Sequence, residues 1–126
     1  MKRLICALLM CFMMLFASAQ ELSFKATYFK IRETNKAWST WSNTNIPVQF
    51  NSSLRRIIVF TETTQVISYG QLSSISDPKY DTLYGHALMN GHENIYIYII
   101  IYKDGDVYLD IQYDDIEYTY KLVPAD

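Results

Sequence analysis

Residues 93 to 122 read ENIYIYIIIYKDGDVYLDIQYDDIEYTYKL, three runs rich in Ile, Val and Tyr that are separated by Asp104-Gly105 and Asp114-Asp115. Asn90-Gly91 precedes the first run in the same way. Asn-Gly and Asp-Gly favour the tight turns of β-hairpins, because both central residues of such turns take a positive φ. Together with the residues before Asn90, the runs predict an antiparallel meander of four strands over residues 81–122.

Two-residue turns would set the register of this meander. They place Tyr102 opposite Val107 across Asp104-Gly105, and Met89 opposite His92 across Asn90-Gly91. All three hairpins then put their apolar side chains on one face, and this agreement favours the register, because a slip of one residue would reverse the faces. The predicted core face comprises Leu83, Gly85, Ala87, Met89, Tyr96, Tyr98, Ile100, Tyr102, Val107, Leu109, Ile111, Tyr113, Ile116, Tyr118, Tyr120 and Leu122.

In this register the isoleucines at 95, 97, 99 and 101 lie on the opposite face of the meander. One interpretation is that Ile97 and Ile99 are covered by the N-terminal strand or a loop, as in a strand buried on both sides. The other is an apolar stripe, rimmed by polar groups, that binds a partner or a ligand. The same face also carries Tyr84, Tyr108, Asp110 and Thr119.

The tyrosines of the predicted core face raise a further interpretation. Each buried phenol needs a hydrogen-bond partner. Either several of them lie at the rim with their hydroxyl groups in water, or the sheet closes around a wetter cavity that holds a small ligand.

Segments upstream of the meander complete the predicted fold. Leu22 to Arg32, Leu54 to Phe60 and Gln65 to Leu72 read as strands. A switch of apolar parity between Tyr28 and Phe29 predicts a bulge in the first of them. Ile46 to Phe50 reads as an edge strand, because its proline is excluded from a central one. The sequence therefore predicts an all-β fold of about seven strands, a single small antiparallel meander that forms either a barrel or a two-sheet sandwich.

The start of the chain has the order of a secretory signal peptide. A charged Met1-Lys2-Arg3 is followed by the apolar run Leu4 to Phe16 and by Ala17-Ser18-Ala19, an A-x-A cleavage site. The apolar run spans only ~20 Å as a helix, too short for a ~30 Å hydrocarbon core. We therefore predict a cleaved peptide over residues 1–19 and a single all-β domain over residues 20–126 that is soluble, periplasmic or extracellular, and without a transmembrane segment.

The composition of the predicted mature chain excludes several classes of protein. The whole chain has 11 basic and 13 acidic residues, and loss of Lys2 and Arg3 leaves 9 and 13, a net charge of −4. A net negative charge of this size does not favour binding to nucleic acid, which requires a basic surface. Both cysteines, Cys6 and Cys11, lie in the signal peptide, so a cysteine-free mature domain would hold no disulfide, no thiol nucleophile and no Cys-based zinc site.

No sequence motif assigns the chain to a known class of enzyme. It has no G-x-S-x-G, no phosphate-binding glycine loop and no H-E-x-x-H. His86 and His92 would point to opposite faces of their hairpin, which argues against a shared metal site. Asp110 and Glu117 share a face, but carboxylates in this relation are common on solvated sheets. We therefore expect no enzyme activity, no cofactor and no metal.

The segment Trp38-Ser39-Thr40-Trp41 lies in the long predicted loop from Asn35 to Asn45. Two exposed indoles can stack on sugar rings or anchor a protein interface. The alternative is that they plug one end of the core.

Several features occur in a familiar order: W-S-x-W at 38–41, R-x-I-x-F-T at 56–61, QVISY at 65–69, and YLDIQYDDIEY at 108–118. This order resembles small exported proteins of gut-type Gram-negative anaerobes and their phages, although those relatives carry a cysteine pair in the middle strands that this chain lacks. The resemblance implies export and a single β domain. It carries no assigned activity and no functional residues.

The sequence thus favours a small exported, non-catalytic binding protein whose partner is a protein or a glycan. One alternative is an envelope or accessory structural protein that self-associates through the Ile97-Ile99-Ile101 face, and another is a small-ligand carrier with a Tyr-lined barrel. The candidate contact residues are Trp38, Trp41, Tyr84, Ile97, Ile99, Tyr108 and Asp110.

Overall fold

The computed structural model describes residues 21 to 125, within which there are nine β-strands and no helix. The strands are β1 (Glu21–Glu33), β2 (Ser42–Asn51), β3 (Arg56–Val59), β4 (Gln65–Tyr69), β5 (Ser73–Ser76), β6 (Tyr80–Met89), β7 (Glu93–Tyr102), β8 (Val107–Gln112) and β9 (Ile116–Pro124). The predicted signal peptide, residues 1–19, lies outside the described residues and stays a prediction. Among residues 21 to 125, no helix has the length and apolar composition that crossing a bilayer requires.

The strands pair antiparallel and close into an eight-stranded barrel. The order runs β1-β2-β3-β4 and then β6-β7-β8-β9, with β4 paired to β6 and β9 paired to β1. The prediction of an all-β antiparallel fold is confirmed, and of its two forms the structure has the barrel. Closure gives each of these eight strands a paired neighbour on both sides over part of its length.

The additional strand, β5, shares one edge of β6 with β4. Residues 87–89 of β6 pair with β4, and residues 81–84 pair with β5. Gly85 lies between the two pairings, where a Cβ atom would approach Leu72 Cδ2 to 3.1 Å and the Gln71 carbonyl oxygen to 3.3 Å. The absence of a side chain at this position lets the β4–β5 connection pass close to β6.

The second strand is longer and more central than predicted. It covers Ser42–Asn51 and lies between β1 and β3, so the expected edge strand is wrong. Pro47 is tolerated because pairing with β3 begins only at Val48, after the proline. The Pro47 carbonyl still accepts a hydrogen bond of 3.0 Å from the Phe60 N–H beyond the end of β3.

Both turns that flank β7 contain three residues rather than the predicted two. At the β7–β8 turn, Tyr102 N–H donates to the Asp106 carbonyl at 2.8 Å, and Gly105 has a φ of 106°. This geometry resembles a three-residue hairpin loop with glycine at the left-handed position. The β6–β7 turn spans residues 90–92, so Met89 pairs with Glu93 and not with His92.

Each extra turn residue shifts the register by one, and the two shifts cancel across β7. The faces of β6 and β8 are therefore as predicted, whereas β7 is reversed. Its isoleucines at 95, 97, 99 and 101 are buried, and its tyrosines at 96, 98 and 102 point outward. Burial explains the preference, since an isoleucine side chain brings no hydroxyl group that needs a partner.

The last hairpin has the predicted register. Val107 pairs with Leu122, Leu109 with Tyr120, and Ile111 with Tyr118 across Asp114-Asp115. The bulge predicted in β1 is also present, one residue earlier than expected, as a register shift between Ala26 and Tyr28.

Aliphatic and aromatic side chains from the barrel strands fill the interior, as is typical of eight strands. Phe24 and Phe50 make an edge-to-face contact within it, with ring centroids 5.3 Å apart. Of the tyrosines predicted for the core face, Tyr120 is buried, Tyr113 and Tyr118 pack against the core, and those of β7 lie outside. The fully buried large side chains are Phe50, Ile57, Ile67, Ile97, Ile99, Leu109, Ile111, Leu122, Val48, Val59 and Val107.

Candidate functional site

The reversal of β7 builds an aromatic and polar surface on the outside of the barrel. Cross-strand pairing places one outward residue from each of five consecutive strands in a single row. From β6 to β1 this row consists of Tyr84, Tyr98, Asp110, Thr119 and Lys30.

A cleft with a volume of about 330 Å³ lies at the β1 side of this row. We call it the indole cleft. Its lining is formed by Lys30, Trp38, Trp41, Ile100, Tyr102, Tyr108, Asp110 and Thr119.

The two tryptophans reach the cleft because the chain folds back over the outer face of β1. Ser39 N–H donates to the Ile31 carbonyl at 2.8 Å, and Ile31 N–H donates to Ser39 Oγ at 2.9 Å. These bonds hold the segment from Trp38 to Trp41 along β1. Trp41 is 43% exposed and Trp38 is half-buried, so the indoles form a surface wall rather than a plug in the core.

Two cations of β1 alternate with the two indoles. Arg32 Cζ lies 4.6 Å from the ring centroid of Trp38, and Lys30 Nζ lies 4.7 Å from the centroids of both Trp38 and Trp41. Cations over indole faces are attracted by the ring quadrupole. The order Arg32, Trp38, Lys30, Trp41 therefore fixes both indoles relative to the barrel.

Tyrosines of β7 and β8 form the opposite wall of the indole cleft. The ring centroids of Trp41 and Tyr108 are 6.1 Å apart, and those of Tyr108 and Tyr102 are 5.6 Å apart in an edge-to-face arrangement. Tyr80 extends the contact, with its centroid 5.2 Å from that of Tyr102. Burial, aided by the nearby acidic Asp106, raises the pKa of the Tyr108 phenol.

Asp110 and Thr119 form the floor of the cleft. Thr119 is only 8% exposed, and its hydroxyl donates a hydrogen bond of 3.1 Å to Asp110 Oδ1. Burial first, and then the hydrogen bond and charge of Glu117, raise the pKa of Asp110 to about 8. The neutral form of Asp110 is therefore favoured well above the pH at which an ordinary aspartate ionises.

The neighbouring Glu117 holds the negative charge of this carboxyl pair. Burial opposes its ionisation, but hydrogen bonds with Asp110, Arg32 and Gln112 outweigh burial and lower the pKa of Glu117. Arg32 Nη2 donates to Glu117 Oε1 at 2.6 Å, and Gln112 Nε2 donates to Oε2 at 3.1 Å. Burial thus favours the neutral form of Asp110, whereas the hydrogen bonds from Arg32 and Gln112 favour the charged form of Glu117.

A second aromatic group lies on the same outer face, beyond the indole cleft. Tyr84 stacks on Tyr98 with centroids 5.9 Å apart and an angle of 14° between the rings. The ring centroids of Tyr96 and Tyr98 are 6.0 Å apart, and those of His86 and Tyr96 are 4.2 Å apart. These rings continue the aromatic surface across β6 and β7.

The structure brings together four of the seven predicted contact residues. Trp38, Trp41, Tyr108 and Asp110 all line the indole cleft. Tyr84 lies in the same outer row but outside the cleft.

Ile97 and Ile99 were predicted on the outer face, and this placement is wrong. They are 0% and 2% exposed inside the barrel, because the three-residue turns reverse β7. The Ile97-Ile99-Ile101 stripe is therefore part of the core and offers no outer surface for self-association.

Sequence reasoning missed four residues of the cleft: Lys30, Ile100, Tyr102 and Thr119. Tyr102 was assigned to the core by the two-residue turn at Asp104-Gly105. Thr119 was on the predicted outer face, but only the pairing of β1 with β9 sets Lys30 beside it. No local sequence pattern predicts the pairing of β1 with β9, because the two strands lie at opposite ends of the described chain.

The cleft combines flat apolar ring faces with hydroxyl groups, a protonated carboxyl group and one ammonium group. Concave sites of this composition are typical of small-ligand binding, in which apolar walls supply contact area and a few polar groups supply orientation. Within residues 21 to 125, no three His, Cys, Asp or Glu side chains are grouped so as to hold a metal ion.

Comparison of the chain with protein-family models and with curated protein sequences finds no match.

Proposed function

We propose that this protein is an exported, non-catalytic binding protein that takes a glycan in the indole cleft. The observation that carries the proposal is the convergence of Trp38, Trp41 and Tyr108 around the hydrogen-bonding groups of Asp110 and Thr119. A sugar ring has apolar C–H faces that pack on aromatic rings, and hydroxyl groups that need donors and acceptors. The cleft offers both kinds of contact within one concavity.

The size of the cleft supports a glycan over a large protein surface as the ligand. A volume of about 330 Å³ is at the lower end of the range of small-molecule sites, which start near ~300 Å³. The isoleucines of β7 are buried inside the barrel. Their position argues against a carrier with a Tyr-lined interior, and also against self-association through an isoleucine stripe on the outside.

The arrangement of the carboxyl groups supports binding rather than glycoside hydrolysis. Hydrolases place two carboxyl groups ~5 to 9.5 Å apart on either side of the scissile bond. Here Thr119 donates to Asp110, and Arg32 and Gln112 both donate to Glu117, so neighbouring side chains of the sheet already engage both carboxyl groups. Export is supported by the signal-peptide features of residues 1–19.

The proposal is tested by screening the purified protein against immobilised oligosaccharides and measuring the hits by isothermal titration calorimetry. Trp41→Ala and Tyr108→Ala should each weaken binding at least tenfold. Phe60→Ala is the matched control, because Phe60 is an exposed aromatic residue outside the cleft and is 44% exposed, against 43% for Trp41. It should bind as the unmodified protein does.

Two results would overturn the proposal. One is that no oligosaccharide binds to correctly folded protein. The other is that glycan binding is retained in Trp41→Ala and Tyr108→Ala, which would place the glycan elsewhere. If the folded protein binds no oligosaccharide in the screen, a protein becomes the better candidate for its partner.

A further inference from the structure

We infer that the glycan bound in the indole cleft carries a carboxylate, and that Lys30 is the group that binds it. This inference rests on the proposed function and narrows it to acidic sugars. It is based on the position of Lys30 between the indoles and on the absence of a competing anion.

The ammonium group of Lys30 lies in the cleft against the faces of two indole rings. Its Nζ atom lies 4.7 Å from the centroids of Trp38 and Trp41. Among residues 21 to 125, no carboxylate lies within 4.0 Å of this ammonium group. An ammonium group has three hydrogen-bond donors, and π faces orient it without supplying an oxygen acceptor.

Two other cations of the outer face, Arg32 and Lys121, are matched with acids. Arg32 pairs with Glu117 at 2.6 Å, and Lys121 lies 4.0 Å from Asp106. Lys30 therefore differs from them as a positioned cation that faces a cavity without an acidic partner in the described part of the chain.

Asp110 is the acidic residue that lines the cleft, and its surroundings favour its neutral form. Thr119 donates to the Oδ1 atom of Asp110, burial and the neighbouring Glu117 disfavour the charged form of Asp110, and Arg32 matches the charge of Glu117. Raised by burial and by Glu117, the pKa of Asp110 is about 8. With Asp110 neutral, the lining has the net positive charge of Lys30, although the chain as a whole is acidic.

A carboxylate on the ligand would complete this arrangement. It would form a charge-assisted hydrogen bond with Lys30, while the sugar ring packs on the exposed parts of the Trp41 and Tyr108 rings in the cleft. Hydrogen bonds to charged groups contribute enough to binding that the acidic ligand should bind about tenfold tighter than its neutral counterpart.

The test uses pairs of ligands that differ in the charged group. The probes are trigalacturonic acid with its methyl ester, and sialyllactose with its methyl ester. The acidic member of a pair should bind about tenfold tighter in low salt, and its advantage should shrink as sodium chloride screens the interaction. The advantage should disappear in Lys30→Gln.

Lys25→Gln is the matched control, because Lys25 is an exposed lysine on the same strand, outside the cleft. It removes the same charge and should keep the acidic preference. Equal affinity for the acidic and neutral members would overturn the inference while the proposed function stands. A preference retained in Lys30→Gln would overturn it as well. Failure of all four probes and of every other sugar would instead count against glycan binding itself.

Discussion

Ile99 lies directly opposite Leu109 in the β7–β8 ladder, and both side chains are buried inside the barrel. This pairing sends the intervening Ile100 and the tyrosines of β7 outward, where Tyr102 becomes a wall of the indole cleft. The packing of the core and the existence of the cleft thus depend on the same register.

Ile99→Ala should lower the free energy of unfolding by about 2 to 5 kcal/mol, because it leaves a cavity in a closely packed interior. Ile100→Ala is the matched control: it deletes the same atoms from the adjacent, half-buried outer position. Its cost should be less than half as large. Urea unfolding measures both, and a larger loss for Ile100→Ala would contradict the register.

The three-residue turn that reverses β7 depends on Gly105. Its φ of 106° is a conformation that residues with a Cβ atom rarely adopt, so Gly105→Ala should destabilise the fold by about 1 to 2 kcal/mol. Gly70→Ala is the comparison, because a Cβ atom there meets nothing within 4 Å. Thermal unfolding should show a clear decrease for the first variant and almost none for the second. Equal effects would argue against a left-handed residue at position 105.

Asp110 should make the protein less stable as the pH rises from about 4 to about 8. Its pKa is about 8 in the folded state and near 3.8 when unfolded, so the unfolded chain loses this proton first and is favoured over that range. The groups around Asp110 are Tyr98, Glu117, Arg32 and Lys30. The lowered pKa of Glu117 acts with the opposite sign, and its contribution is lost only as the pH falls below about 4.5.

Asp110→Asn should therefore flatten the dependence of stability on pH between about 5 and 8 and stabilise the protein at the upper end. Asp114→Asn removes a carboxylate from an exposed turn and should leave the slope unchanged. Urea unfolding at a series of pH values measures the slopes. The same slope in Asp110→Asn as in the unmodified protein would show that Asp110 is not the group responsible.

The segment over β1 should loosen when its first indole is removed. Trp38 contacts both Lys30 and Arg32, and the segment before it contains Lys36, a site for trypsin. Trp38→Ala should therefore be cleaved after Lys36 several-fold faster than the unmodified protein under native conditions. Phe60→Ala should be cleaved at the original rate, and mass spectrometry of the fragments identifies the site. Unchanged cleavage in Trp38→Ala would mean that the indole does not hold the segment.

Local patterns predicted much of the fold. Alternation of apolar residues located most strands, and the register across Asp114-Asp115 was predicted residue by residue. The error at β7 arose because Asp-Gly and Asn-Gly occur in both two-residue and three-residue turns, which differ by one residue in register. Both faces of β7 are apolar in the sequence, so alternation could not correct that error.

The candidate site was predicted in part for a related reason. Indoles in a polar segment and an aspartate in a strand stand out locally, and Trp38, Trp41 and Asp110 do lie together. Lys30 does not stand out, because a lysine in an outer strand position is ordinary until its neighbours are known.

The sequence by itself determined the class of fold, the antiparallel order of the meander and the faces of β6, β8 and β9. These features follow from side-chain alternation and turn residues, which act between neighbours along the chain. Only the tertiary structure decided which face of β7 is buried, where the barrel closes and that Lys30 lies beside Thr119 and the two indoles. Those outcomes depend on packing a common core and on pairing strands that are distant in sequence, and no local pattern contains that information.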